Sequence, residues 1–393
     1  MTTGITFDES QVQAIDRATS DRRLTVITGG AGCGKTTIIR EITNRLEDHG
    51  ENVILCAFAG KAAARMREAT GHDAGTIHRM LQWNGSRFVC GSLKESTVVV
   101  DEASMVNSLL MAEIVSRQPR RLVLVGDEAQ LPPVGVGQPF HDIIRECKPL
   151  VCNLTTCYRA TEAIFKAATR IRQGLQPCME ERTPQEHWLM MGTGSPWDTH
   201  MAVLNMVRRG ELDFQKDIIL SPRNEDQTSD ASAIAPLNRD ILELVNPHDP
   251  GERFKAGDRV ICTKNNSELD VWNGTTATVE AVDRSGRMQI LTDTEVIAAD
   301  GSRTRQVDIP ADFSKNFKHA YALTVHKSQG SQYRKVVVLV LNRDQFALLN
   351  RALVYTAVTR AKSECIVMGC LRTFAHAVSQ TTDCQTIFRR LCR

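Results

Sequence analysis

Apolar and polar positions follow two different rhythms along this chain, and the change of rhythm divides it. Over residues 1–150, short apolar runs at 24–27, 53–57, 97–100 and 121–125 are separated by longer stretches of helical periodicity. Brief runs rich in Val, Ile and Leu predict strands buried on both faces. Strands alternating with helices predict a parallel sheet with crossover connections. Thr37 to His49 reads as one such helix, with Gly50 placed to end it. A second pattern of the same kind starts within 151–250, with a strand at 217–220 and a helix at 231–245.

Between Gly251 and Ser314 the rhythm shortens. RVICT, TTATVEAV, RMQIL and TEVIA are each strand-like, and Asn273-Gly274, Asp283 to Gly286 and Asp300-Gly301 are turn signals between them. Several short strands in so little chain predict a small barrel. Strand-like runs return at 336–341 and 365–368, so the barrel is expected as an insertion into the second α/β domain. Neither a fixed-period repeat nor a low-complexity tail complicates this division.

Composition narrows the partners. With 42% hydrophobic and 24% charged residues in 393, the chain can bury two or three ordinary cores. A formal net charge of only +2 means that any basic surface for nucleic acid must be local. Neither a membrane-length apolar run nor a signal-peptide pattern is present, so a cytoplasmic protein without a membrane partner is expected. The 12 cysteines are scattered, and Cys147, Cys152 and Cys157, five apart, come nearest to a metal pattern. Buried free thiols explain them better.

The stretch GGAGCGKTT carries the first chemistry. Gly29, Gly30, Ala31, Gly32, Cys33 and Gly34 form a loop between an apolar run and a helix, followed by Lys35, Thr36 and Thr37. In a strand–loop–helix context, loop amides and a helix N-terminus converge on phosphates. Lys35 can reach the β- and γ-phosphates, and the Thr36 hydroxyl can ligate Mg²⁺, so ATP and Mg²⁺ are the expected cofactors. VVVDEAS ends a strand with Asp101, a candidate metal ligand, and Glu102, a candidate general base. LVLVGDEAQLPPVG ends another, with Gln130 able to touch the γ-phosphate. Arg159 in LTTCYRA and Arg360 in LVYTAVTRAK could be salt-bridged surface residues or γ-phosphate cations, the latter worth about 10³–10⁵ in rate. QWNGSRF reads as a two-residue hairpin with Trp83 and Phe88 on either side, either core packing or exposed rings.

In this order FDESQ, GGAGCGKT, FAGKAA, TIHRML, VVVDEAS, VGDEAQLPPVG, LTTCYR, ILSPRN, KNNSELDVWNG, ALTVHKSQGSQ and YTAVTRAK resemble superfamily 1 helicases of the 5′-to-3′ type, close to the RecD and Dda group. The resemblance runs from about residue 7 to 370. It implies two RecA-like P-loop domains with parallel sheets, 1–82 with 96–150 and 151–250 with 316–393. It also implies a small pin hairpin at 83–95 and an SH3-like barrel at 251–315. The nucleotide would lie between the two domains. Gln11 would read the adenine, Gly330 would line the ATP site, and Arg159 and Arg360 would close on the γ-phosphate.

The nucleic-acid contacts implied are Phe58, Gly60, Lys61, Thr76, His78, Ser221, Arg223, Lys264, Asn265, Thr324, His326 and Lys327. Trp83, Phe88 and Trp272 are the candidates for ring contacts at a duplex junction. The chain departs from RecD-like patterns at Phe58-Ala59, where a threonine hydroxyl is lost and a ring gained, and at Gln332, where a glutamate is common. The resemblance implies a monomeric ATP-dependent DNA helicase of a bacterial or phage-infected cell. It would translocate 5′-to-3′ on single-stranded DNA, open tailed duplexes and work beside replication or recombination proteins. An RNA-directed relative and a non-catalytic strand-binding adaptor are the alternatives.

Overall fold

The computed structural model describes residues 6–158, 162–222, 233–298, 300–340 and 349–381, so Arg159 and Arg223 lie outside the described residues. The chain divides near residue 160 into two compact units. In the first, the order is α1 (Glu9–Thr19), β1 (Leu24–Gly29), α2 (Lys35–Asp48), β2 (Asn52–Ala57), α3 (Gly60–Thr70), β3 (Ala74–Thr76), α4 (Ile77–Met80), β4 (Ser96–Asp101), α5 (Ser108–Ser116), β5 (Arg121–Gly126), α6 (Pro139–Glu146) and β6 (Val151–Leu154). All six strands are parallel, ordered β3-β2-β4-β5-β1-β6. Each apolar run serves both faces of the sheet. Val99, Val123 and Val125 pack with Ile38, Ile39 and Ile42 of α2. Val98, Val100, Leu122 and Leu124 pack on the opposite face with Leu110 and Ile114 of α5 and with Phe140 of α6.

The boundary expected at 150 moves. Val151–Leu154 is the edge strand of the first sheet, paired with β1 from Val26↔Val151 to Gly29↔Leu154. Cys152 and Leu154 bury in the same core as Ile27. A four-residue strand carries no mark of which sheet it joins; only its β1 pairing assigns it.

The second unit opens with α7 (Ala163–Arg172), β7 (Glu180–Arg182), β8 (His187–Gly192), α8 (Pro196–Arg208), β9 (Ile218–Ser221) and α9 (Ile234–Val245). The insertion follows as β10 (Arg259–Cys262), β11 (Thr276–Val282), β12 (Met288–Ile297), β13 (Arg303–Ile309), α10 (Ala311–Ser314) and β14 (Phe317–His319). The α/β part resumes with β15 (Ala322–Thr324), β16 (Tyr333–Val340), α11 (Arg351–Val358), β17 (Ala361–Gly369) and α12 (Leu371–Ser379). Its sheet is ordered β15-β9-β16-β17-β8-β7, parallel except for the β7–β8 pair. The expected strand at 336–341 thus begins earlier, and residue 341 lies outside the described residues. Strands β7 and β8 were not anticipated.

The insertion is a five-stranded antiparallel sheet, β13-β12-β11-β10-β14. Its turns fall where expected: Gly286 N–H donates to Asp283 O, and Gly301 N–H to Ala298 O. RMQIL and TEVIA, read as two strands, are one strand whose register slips between Leu291 and Val296. There Thr292 donates its hydroxyl to Thr294 O and Arg305 O, so the extra residues bulge without ending the strand. The sheet also runs past residue 315, because β14 pairs with β10. Among the described residues no helix is long and apolar enough to cross a membrane.

One buried carboxylate joins the chain entering the insertion to the chain leaving it. Asp258, just before β10, accepts from Asn246 Nδ2 and Lys255 N at 2.8 Å. It also lies 3.0 Å from His248 Nε2 and 3.2 Å from His319 Nε2. Removing the acceptor leaves several donors unpaired in the interior, so Asp258→Ala is expected to cost about 3 kcal/mol of folding stability. Urea unfolding of the two proteins measures it; equal midpoints would show the hub to be dispensable.

Candidate active site

The carboxyl ends of adjacent parallel strands are where open α/β sheets bind ligands. In the first unit, strand order puts β1, β5, β4 and β2 side by side with their ends in register, Thr28 beside Gly126 and Ala57 beside Asp101. The phosphate loop leaves β1, the Gln130 loop leaves β5, the Asp101-Glu102 pair ends β4, and Phe58 to Lys61 follow β2.

The loop enters α2 through Gly34, and no side chain caps the first turn of that helix. Its leading amides therefore have no side-chain partner, and the positive end of the helix faces the loop. Lys35 Nζ donates to Gly29 O at 2.9 Å and Gly30 O at 3.0 Å, which keeps its charge in the cradle. Two glycines are required by what lies behind them. A Cβ on Gly29 would stand 2.9 Å from Leu154 Cβ. Gly34 has φ +77°, and a Cβ there would stand 2.6 Å from Gln11 Nε2.

Gln11 is buried and braces the loop. Its Nε2 donates to Cys33 O at 3.2 Å, while its Oε1 accepts from Tyr158 O–H at 2.6 Å and from Asp8 N–H at 3.2 Å. The last bond is half of a capping box with Asp8 that starts α1. Tyr158 also donates its N–H to Gly32 O at 3.3 Å.

Asp101 and Glu102 are set by a strained turn. Glu102 has φ 50° and ψ 39°, the left-handed region that non-glycine residues rarely occupy. Its N–H donates to Asp101 Oδ1 at 2.8 Å. Burial first, then the neighbouring Glu102 charge, push the Asp101 carboxyl up to about 6, against the pull of Lys35 and Arg65. Glu102 Oε2 and Gln130 Oε1 are buried with no hydrogen-bond partner among the described residues. Gln130 is held by its backbone, donating to Asp127 O at 3.2 Å. Unpaired acceptors beside a phosphate cradle await a donor such as water. The hydroxyl of Thr36 and the carboxylate of Asp101 are hard oxygen donors of the kind Mg²⁺ takes.

Four rings from three separate motifs form one row. Phe58 follows β2, and His78 follows Thr76, which pairs with Ala57 and caps α4 by accepting from Arg79 N at 3.1 Å. Ring centroids are 6.5 Å apart for Phe58–His78, 5.6 Å for His78–Phe88 and 4.7 Å for Phe88–Trp83. Burial holds the His78 imidazole below its ordinary value, so it is neutral at pH 7. Trp83 bridges to Phe88 across a turn closed by Asn84 N–H to Arg87 O at 3.1 Å. The two-residue loop is thus Gly85-Ser86, one residue later than the Asn-Gly expected, with Gly85 at φ +97°. Phe88 packs on the core while Trp83 is 45% exposed. Gly60 is buried at the start of α3 and Lys61 follows it, half-buried.

In the second unit Arg360 is buried at the end of α11. It donates to Thr356 O at 3.0 Å, Ser331 O at 3.3 Å and Thr359 Oγ1 at 3.3 Å, all neutral oxygens. Gly330 adjoins this cluster. Ser221 and Thr324 pair across β9 and β15. Thr324 and Lys327 line a pocket of about 300 Å³ with Arg239 and Lys318, while His326 is exposed beside them. Asn265 is engaged by Asn273 N–H at 2.8 Å, and Lys264 O accepts from the Cys262 thiol. Trp272 is pinned by its indole to Asp270 at 2.8 Å and is half-buried.

Comparison with known proteins places this arrangement. Residues 6–190 match the family model described as AAA domain, and residues 319–368 that of the UvrD-like helicase C-terminal domain. The RecBCD enzyme subunit RecD of Mycobacterium tuberculosis is 31% identical over 410 residues, across 92% of this chain and 69% of that protein. The chain belongs to the RecD family of superfamily 1 helicases. The ATP-dependent RecD2 DNA helicase of Deinococcus radiodurans is also 31% identical, over 92% of this chain but 49% of its own length. A conjugal transfer protein TraA from Agrobacterium fabrum is 30% identical over 94% of this chain and 33% of its own. This RecD-family chain thus spans between a third and a half of those two relatives.

Among solved structures, Bacteroides Pif1 helicase in complex with ADP-AlF3 and ssDNA has TM-score 0.52 and 19% identity, covering 93% of this chain and 92% of that one. Pif1 from Candida albicans has TM-score 0.52 and 20% identity, covering 92% and 94%. The shared fold makes the parallel sheets RecA-like.

The sequence reading of this RecD-family site missed the residues that act from behind. Leu154, Cys157 and Tyr158 shape the phosphate loop, and they lie inside LTTCYR, a motif read only for Arg159. Cys147, Cys152 and Cys157 form no ligand cluster; among the described residues only His248, Asp258 and His319 are grouped closely enough to hold a metal.

Two outcomes follow from this geometry. Gly34→Ala should cost about 1–2 kcal/mol of stability from its left-handed backbone alone and should weaken nucleotide binding further by displacing Gln11. Normal affinity in a calorimetric titration would show the brace to be slack. For Asp101, the unfolded carboxyl releases its proton first as pH rises from about 4, while the folded one holds it to about 6. Rising pH therefore favours unfolding, and Asp101→Asn is expected to raise the nucleotide-free melting temperature at pH 8 with little change at pH 4.

Proposed function

We propose that this RecD-family chain is an ATP-dependent DNA helicase that moves 5′-to-3′ along single-stranded DNA and separates tailed duplexes. The observation that carries the proposal is the alignment, at the carboxyl end of one sheet, of an uncapped phosphate loop, Glu102 and Gln130 acceptors without a partner among the described residues, and a row of four rings. Nucleotide chemistry and a stacking surface thus share one rigid scaffold, as a strand-tracking motor needs.

In this reading Lys35 and the first amides of α2 bind the β- and γ-phosphates. Glu102 accepts the proton of the attacking water, and Gln130 orients that water. Thr36 and Asp101 would hold Mg²⁺, which when bound neutralises charge developing on the phosphates. Arg360, a buried cation bonded among the described residues to neutral oxygens, is assigned to the γ-phosphate together with Arg159. Gln11 would contact the adenine from its place beside the loop. Trp83 and Phe88 stack on a base at the duplex junction, where about 1–3 kcal/mol per stacked base compares with about 1.4 kcal/mol per base-pair step. The polar groups around Thr324, with Lys318, Lys327 and Arg239, take strand phosphates. The antiparallel insertion is read as SH3-like. Polarity, and work beside replication or recombination proteins as a monomer, are carried over from the family.

The deciding experiment is the ATPase rate with no nucleic acid, with single-stranded DNA and with single-stranded RNA, each with and without Mg²⁺. Strong stimulation by DNA is expected, and a 5′-tailed duplex should then be opened. Stimulation by RNA alone would replace DNA as the substrate, and none by either strand would remove the motor. Lys35→Ala should abolish turnover. Glu102→Gln should keep nucleotide binding and lose about 10²–10⁴ in rate. Trp83→Ala with Phe88→Ala should impair duplex opening more than ATP turnover; equal losses would return both rings to core packing.

A further inference from the structure

The phosphate loop holds a second chemistry that hydrolysis does not use. Cys33 lies inside the loop, one residue before Gly34, and is buried at 5% exposure. Cys157 lies on the segment that braces the loop from behind and is half-buried. Cys157 packs against the buried cluster that contains Cys33, and its thiol donates to Ala31 O at 3.4 Å, two residues before Cys33. The backbones already touch, Tyr158 N–H donating to Gly32 O at 3.3 Å. Gln11 holds the opposite side of Cys33 through its carbonyl at 3.2 Å. Two thiols in one packed cluster, on backbones fixed on both sides, need only a local shift to reach the S–S length of about 2.05 Å.

We propose that Cys33 and Cys157 form a reversible oxidation site that switches the phosphate loop off. The oxidant is a hydroperoxide. The Cys33 thiolate attacks the peroxide oxygen, breaking O–O and leaving hydroxide, which takes a proton to become water; Cys33 becomes a sulfenic acid. Cys157 sulfur then attacks the Cys33 sulfur, its proton leaves with the sulfenic oxygen as a second water, and the disulfide is formed. In balance, two thiols and one H₂O₂ give one disulfide and two waters. The local field favours the first step: the Cys157 hydrogen bond, then the Lys35 charge, draw the Cys33 thiol below its ordinary value against burial and Asp127. The bond draws Cys33 toward residue 157 and pulls the loop amides out of the arrangement that Gln11 and Leu154 hold for phosphates. Formation of the disulfide does not depend on what the loop binds; the loss of function rests on the ATP reading.

The test treats the full chain with hydrogen peroxide, maps peptides by mass spectrometry, and measures affinity for a fluorescent ATP analogue before and after dithiothreitol. A Cys33–Cys157 crosslink is expected, with affinity falling roughly tenfold or more and returning on reduction. Cys157→Ser, whose hydroxyl can still donate to Ala31 O, should form no such crosslink and show no loss that dithiothreitol reverses. Peroxide oxidation without the 33–157 crosslink overturns the proposal. So does a crosslink that leaves affinity unchanged, or an identical reversible loss in Cys157→Ser. If the reduced wild type binds no nucleotide, the ATP reading fails, while the peptide map still decides whether the thiol site exists.

Discussion

A phosphate loop must keep its amides pointed at empty space until an anion arrives, so it has to be held in shape from the other side. Here the buried amide of Gln11 does this, donating to Cys33 O and lying so close to Gly34 that no side chain fits there. Leu154 does the same for Gly29. The strand β1, the helix α2 and the charge of Lys35 are placed by this rear packing, and the positions of Asp101, Glu102 and Gln130 have meaning only relative to it. The strength of the arrangement is that each contact is backed by another: Gln11 is itself fixed by the Asp8 capping box and by Tyr158.

The site spends stability at identifiable points. Glu102 occupies a left-handed backbone, Asp101 is pushed toward its neutral form by burial and by Glu102, and acceptor oxygens of Glu102 and Gln130 are buried without a partner among the described residues. Strain and unsatisfied polarity of this kind persist where the surroundings over-determine them. The surroundings here are the parallel strands β4 and β5, buried on both faces among Val, Leu and Ile. A rigid apolar sheet thus offsets a costly polar edge. In the second unit, the Asp258 hub ties the ends of an inserted sheet together, and Arg360 keeps its charge among neutral oxygens.

Much of this was legible without coordinates. Apolar runs marked the strands because burial on both faces leaves a continuous signature, and Gly50, Gly286 and Gly301 marked ends and turns because positive φ selects glycine. GGAGCGKTT, VVVDEAS and GDEAQ named their chemistry because phosphate, metal and water each demand particular donor groups at fixed spacing. Such information is local, and the sequence states it directly.

What the tertiary structure alone decided is non-local. Sheet order placed β5 between β1 and β4, and gave Val151–Leu154 to the first sheet rather than to the second domain. The slip in β12 fused two expected strands, because cross-strand pairing with β13 absorbs extra residues as a bulge. Phe58, His78, Phe88 and Trp83 became one row, and Cys33 met Cys157 across more than a hundred residues, only through packing. Periodicity fixes which face a residue presents; which distant segment meets that face is set by pairing and burial summed over the whole fold, and no window of sequence contains that sum.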